Sequence, residues 1–223
     1  MDILRTIGSG SSGNAYLIEV AGLKILLECG FVYDKVLKGL DFIIPDLIVV
    51  THEHNDHAKS LKEFADNGVP VICSNGTAKA KGLMPYQYKT EYKSKSINIR
   101  LLDAVHDAVE PKMILIDELE SNKRLFFATD VSEVNVIIND ITILMIEANW
   151  SKETLNEDLI YSKRSVHTHF SLEKVVKFLD TINVKSISNI YLVHLSKENS
   201  NSEYFTKTIM EHTGINTVAL KGK

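Results

Sequence analysis

Residues Thr51 to His57 read Thr-His-Glu-His-Asn-Asp-His, which sets four potential metal ligands, His52, His54, Asp56 and His57, within six positions. They directly follow the apolar run Leu47-Ile48-Val49-Val50. Imidazole is the commonest metal-binding side chain, and a neighbouring carboxylate adds negative charge to the site. Spread over a strand end and the turn after it, three imidazoles and a carboxylate can converge on more than one ion. A solvated polar turn has no use for so dense a set.

Three further candidates share that placement. His106 follows the alternating stretch from Ile97, Asp130 follows Leu125 to Thr129, and His194 follows Ile190 to Val193. Any one of them, His106 above all, has a plain reading as a buried side chain bonded to the backbone. Ligands at four strand ends together argue for one cleft. Seven groups exceed the needs of a single tetrahedral ion. They suit two ions sharing a carboxylate, and Asp130 is the choice for the bridge because it stands alone at a strand end. In two-metal sites the ions lie roughly 3.5–4 Å apart and clamp the attacking and leaving oxygens of a displacement.

The elements that must position these groups are short strands alternating with helices. Ala15 to Val20 and Lys24 to Leu27 form a hairpin pattern around Ala21-Gly22. Strands are expected at Leu47–Val50, Val69–Cys73, Ile97–Leu101, Met113–Ile116, Leu125–Ala128, Ile141–Ile146 and Ile190–Val193. Asp56 is expected to cap a helix through Leu61 and Phe64, and helical spacing recurs over Ser171–Leu179 and Glu203–Glu211. No low-complexity linker divides the chain, so residues 1–223 read as one α/β domain.

Composition narrows the class. With 44% hydrophobic and 24% charged residues, the chain can bury a sizeable core. It has no run of membrane-spanning length and no signal-peptide pattern at its start, and its two cysteines, Cys29 and Cys73, suit a reducing interior. A cytoplasmic protein without a membrane partner is expected. The net charge of −4 points to no polyanion, but Lys79, Lys81, Lys89, Lys93 and Lys95 alternate with Tyr86, Tyr88 and Tyr92 against the single acid Glu91. Such a stretch can meet phosphates and stack on bases, or be a solvated connection.

His-x-His-x-Asp-His after a buried strand resembles the signature of the metallo-β-lactamase superfamily. The resemblance implies a four-layer αββα sandwich of two mixed β-sheets with metals at one edge. It would give His52, His54 and His106 to one divalent ion, Asp56, His57 and His194 to a second, and Asp130 to both, with zinc, manganese or iron as the metal. The start Gly8-Ser9-Gly10-Ser11-Ser12-Gly13-Asn14 lacks the lysine of a P-loop. It is similar instead to the bacterial YycJ/WalJ-like branch, whose members are linked to DNA exonuclease activity. The segments around His106, Asp130, Ile146-Glu147-Ala148-Asn149 and His194 agree with that branch. So does His167-Thr168-His169-Phe170-Ser171, where the matching histidine, His169, would act on the scissile phosphate or leaving group. Glu28, Thr168, Trp150 and Ser200 depart from the branch pattern without removing a ligand.

The resulting expectation is a two-metal phosphodiesterase hydrolysing nucleic acid, a 5′-to-3′ DNA exonuclease by resemblance. Asp56 and His169 would be catalytic, while Ser11, Asn14, Lys163 and Arg164 would contact substrate. The rival is a small-molecule metallohydrolase cleaving an ester, lactone, thioester or cyclic phosphodiester on the same fold. A metal-stabilised binding protein is the third reading.

Overall fold

A computed structural model describes residues 1–156, 158 and 165–222. The protein is mixed α/β, with two mixed β-sheets, and its chain divides into two compact units. No helix among the described residues is long and apolar enough to cross a membrane.

The first unit comprises Met1–Asp103 and Ala108–Asn122 with the C-terminal residues from Lys221. Its six-stranded sheet runs in sequence order: β1 (Asp2–Gly8), β2 (Ala15–Val20), β3 (Leu23–Leu27), β4 (Leu47–Val49), β5 (Val71–Ile72) and β6 (Tyr88–Lys89). The first three strands are antiparallel and the rest parallel. Ala21 and Gly22 turn the β2–β3 hairpin with φ of 46° and 81°, the left-handed pair that a two-residue hairpin loop demands. Four helices follow the strands: α1 (Tyr33–Gly39), α2 (Asn55–Ala58), α3 (Leu61–Asp66) and α4 (Asn75–Ala80). Leu17, Leu26, Ile48, Val36, Leu40 and Phe64 join one apolar core, to which β4 contributes Ile48. An antiparallel set, β7 (Glu91–Lys93), β8 (Ile97–Asp103) and β9 (Lys112–Glu118), belongs to the same unit.

The second unit comprises Ala104–Asp107 and Lys123–Leu220. Its strands β10 (Lys123–Ala128), β11 (Ile143–Glu147), β12 (Asn189–Val193) and β13 (Thr217–Ala219) are all parallel, so their carboxyl ends share one edge. Ligand sites of open parallel sheets form at that edge. Helix α5 (Leu172–Leu179) starts at Ser171, whose hydroxyl accepts from Lys174 N–H, and buries Leu172, Val175, Phe178 and Leu179. Helix α6 (Ser202–Thr213) is capped by Asn201 and closed by the left-handed Gly214.

The expected strands and the two later helices all form. Asp56 departs from expectation: it lies inside α2, which His54 precedes without a side-chain cap, and α3 starts separately after Ser60. The sequence reading also passed over β1, α1, α4, β13 and the short strands β6 and β7.

Candidate metal centre

In the first unit, β4 ends at Val49 and delivers the histidine-rich loop. Thr51 and His52 are buried, and Thr51 Oγ1 lies 2.9 Å from His52 Nδ1 while donating to Glu28 Oε1 at 2.6 Å. The buried Glu28 reaches this place from the end of β3 in a left-handed conformation, φ 61°, and its Oε1 is 3.6 Å from His57 Nδ1. Burial raises its pKa, opposed by His57 and Thr51. Glu28 thus braces a carboxylate against the loop.

The ligand atoms pair off. His52 Nε2 is 3.0 Å from His54 Nδ1, and His57 Nε2 is 3.4 Å from Asp56 Oδ2. Two nitrogens about 2.0–2.1 Å from one tetrahedral ion are separated by roughly 3.3 Å. Both spacings therefore fit ligands that share an ion.

The glycine- and serine-rich start spends its donors on this loop. Asn14 N–H donates to Asp56 O at 2.8 Å, and its side-chain amide donates to the same carbonyl at 3.2 Å and lies 3.3 Å from His57 Nε2. Asn14 Oδ1 accepts from Gly10 N–H and from Tyr16 OH. Asn14 is wholly buried, and its polar groups bond Gly10, Tyr16 and the carbonyl of Asp56 in the histidine-rich loop. Gly30 completes the support, since Gly30 N–H donates to Asn14 O and a Cβ at Gly30 would sit 1.8 Å from Asp56 O. Ser11 is exposed in the same loop.

The second unit assembles its cluster from separate strand ends. Asp130 and His194 leave β10 and β12 with φ of 50° and 51°, conformations rare for residues other than glycine. The carboxylate of Asp130 is divided, with Oδ1 3.3 Å from His194 Nδ1 and Oδ2 3.5 Å from His106 Nε2. Burial pushes the His106 pKa below the usual imidazole range, with Asp130 and Asp107 opposing, which favours the neutral form that a metal needs.

Glu147, the last residue of β11, is wholly buried beside them. Its Oε1 lies 2.7 Å from His169 Nδ1 and 3.1 Å from His194 Nδ1, and its Oε2 accepts from Val131 and Phe170 N–H at 3.2 Å each. Burial works against charge on both partners, but their attraction prevails: the Glu147 pKa is lowered and the His169 pKa raised. The rings of His169 and His194 stack at 5.3 Å. Asn149 N–H bonds Phe170 O and Leu172 N–H bonds Trp150 O, which ties the segment after His169 to the chain just beyond β11. Asn149 also donates to His194 O at 2.9 Å. Asp130, Glu147, His169 and His194 each offer an atom within 4.8 Å of the others.

Glu147 is the functional residue that the sequence reading did not single out, although a lone acid closing the apolar strand Ile143–Glu147 is the signal that selected Asp130. His167 is exposed. Lys163 and Arg164, expected substrate contacts, lie outside the described residues.

The chain matches the family described as the metallo-beta-lactamase superfamily over residues 8–137. It is 27% identical to exodeoxyribonuclease WalJ of Streptococcus pneumoniae over 232 aligned residues, 92% of this chain and 85% of that protein. Exodeoxyribonuclease YycJ of Bacillus anthracis is 26% identical over 222 residues, 88% of this chain and 83% of the relative. Among solved structures, the metallo-beta-lactamase fold protein YhfI from Bacillus subtilis superposes with a TM-score of 0.71 at 15% identity, covering 98% of this chain and 95% of that one. The expected fold is borne out by that likeness.

Proposed function

We propose, from the premise that this chain belongs to the metallo-β-lactamase superfamily and is a metal-dependent hydrolase of its nuclease and phosphodiesterase kind, that it is a dinuclear DNA exonuclease acting 5′-to-3′ in the cytoplasm. The proposal gives His52, His54 and His106 to one ion, Asp56, His57 and His194 to the other, and Asp130 to both, with zinc, manganese or iron as candidates. It requires residues 1–223 to work as one catalytic domain. When bound, such ions supply a nucleophile at neutral pH and offset charge on the oxygens of an in-line displacement.

The observation that carries the reading is the divided carboxylate of Asp130, which presents one oxygen to His194 and the other to His106, the two histidines assigned to different ions. Its neighbours have distinct tasks. Oriented by Glu147, which raises its pKa, His169 donates a proton or hydrogen bond to the departing oxygen. Asp56 takes part through its carboxylate, whose backbone carbonyl Asn14 holds in place. Ser11, exposed in the glycine-rich loop, together with Lys163 and Arg164, completes the proposed substrate contacts. Both cysteines are buried and unbridged, in keeping with a reducing compartment.

A substrate panel tests the class. The manganese- or zinc-loaded protein should hydrolyse oligonucleotides and bis-p-nitrophenyl phosphate while leaving chromogenic esters, thioesters and lactones intact. Turnover confined to the esters or lactones would replace the nuclease with a small-molecule hydrolase.

A further inference from the structure

On the first unit, away from the metal ligands, the edge of the six-stranded sheet carries a cavity of ≈ 420 Å³. Leu47 and Val71 are part of its apolar wall, and Tyr86, Tyr88, Tyr92 and Lys89 line it. Tyr86 is 84% exposed, so its ring is open to a stacking partner. Tyr88 is oriented by a hydrogen bond from its hydroxyl to Asn75 Oδ1 at 2.9 Å.

Charge around the cavity favours an anionic occupant. The nearby acids are already engaged, Asp66 by Lys62 and Gln87, and Glu91 by Lys93. Among the described residues Lys79, Lys89 and Lys95 have no acidic partner. A peptide adding to the sheet is a poorer fit, because the edge strand β6 is only two residues long and offers few backbone groups. Aromatic rings beside the unpaired Lys89 are the elements of a platform for single-stranded nucleic acid, where bases stack and phosphates pair.

We infer that this cavity is a base-stacking subsite that takes an unpaired nucleobase of the polymer, with Lys89 meeting the adjoining phosphate. The inference rests on the nuclease reading and extends it to a second contact point. His52 begins the ligand set five residues beyond Leu47, at most about 17 Å of extended chain. At about 3.4 Å per nucleotide along a stacked strand, an oligomer of several nucleotides reaches both places.

The test uses the full-length protein with metal loaded for cleavage and EDTA-treated for binding. Fluorescent single-stranded oligonucleotides, each carrying one abasic position stepped along the strand, are titrated against wild type, Tyr86→Ala and Lys89→Glu. Tyr86→Ala should weaken binding about tenfold. Removing the base at one or two positions should cost as much, with no further loss when both changes are combined. Lys89→Glu should weaken every oligonucleotide alike and flatten the salt dependence. In cleavage, the loss should fall on KM for the oligonucleotide, with bis-p-nitrophenyl phosphate as the internal reference. Equal affinity of Tyr86→Ala and wild type, or losses that add at every abasic position, would overturn the subsite while leaving the nuclease intact. Wild-type protein that neither binds nor cleaves any oligonucleotide would overturn the nuclease reading itself, and the subsite with it.

Discussion

The candidate ligands of the first unit arrive in one stretch, Thr51 to His57, whereas those of the second, His106, Asp130 and His194, come from three segments spread over 88 positions. The two clusters are braced differently as a result. The first is a loop clamped from outside by Asn14, Gly30 and Glu28, through backbone carbonyls and close approach. The second is held from inside by one carboxylate, Glu147, which touches two histidines and two backbone amides at once. Contiguity makes a site easy to specify but leaves it needing a cradle. Dispersal lets a parallel strand edge supply the geometry, at the cost of a buried charge that must stay paired.

That contrast can be broken first at Glu147. Glu147→Gln keeps the shape but removes the charge facing His169, and kcat on an oligonucleotide should fall about 10²–10³-fold with KM little altered. Unchanged kcat would reduce Glu147 to packing. In the first unit, Gly30→Ala drives a methyl group into Asp56 O, and should cost about 1–3 kcal/mol of stability together with bound metal, read by thermal unfolding and metal analysis. Asn14→Ala is gentler. It should lower metal affinity about tenfold while KM for the polymer stays near wild type. The reverse pattern would make Asn14 the expected substrate contact.

The smallest effect concerns pH. In metal-free protein the raised His169 contributes stability that is full below its ordinary value of 6.5 and is lost as pH rises through its higher folded value. The lowered Glu147 contributes stability present above 4.5 and lost as pH falls through its lower folded value. Their joint contribution to Tm should therefore be greatest between about 4.5 and 6.5 and decline on the alkaline side, a dependence that Glu147→Gln should flatten. A Tm–pH profile identical in both proteins would remove the pair from the account.

The candidate site is legible in sequence where chemistry and periodicity coincide. His52, His54, Asp56 and His57 form a local motif, and His106, Asp130 and His194 follow apolar strands. Sequence is silent where a role depends on what lies beside a residue. Asn14 has the composition of a ligand-facing loop, yet its partners Asp56 and His57 are more than 40 positions away and no local pattern records them. Glu147 was passed over because β11 reads as an unbroken apolar run whose last residue looks like its boundary. Strands β6 and β7, of two and three residues, are too short for any period to declare itself, so the tyrosine and lysine stretch was open between solvated connection and nucleic-acid contact.

The central claim is that these ligands serve hydrolysis of a nucleic-acid strand. End-labelled duplex DNA, single-stranded DNA and RNA, incubated with Mn²⁺ or Zn²⁺ and wild type or Asp56→Ala, test it directly when metal content is measured in parallel. The account predicts a metal-dependent ladder from the 5′ end of DNA with wild type, and loss of both the ladder and bound metal in Asp56→Ala. Cleavage and metal content equal in the two proteins would contradict it.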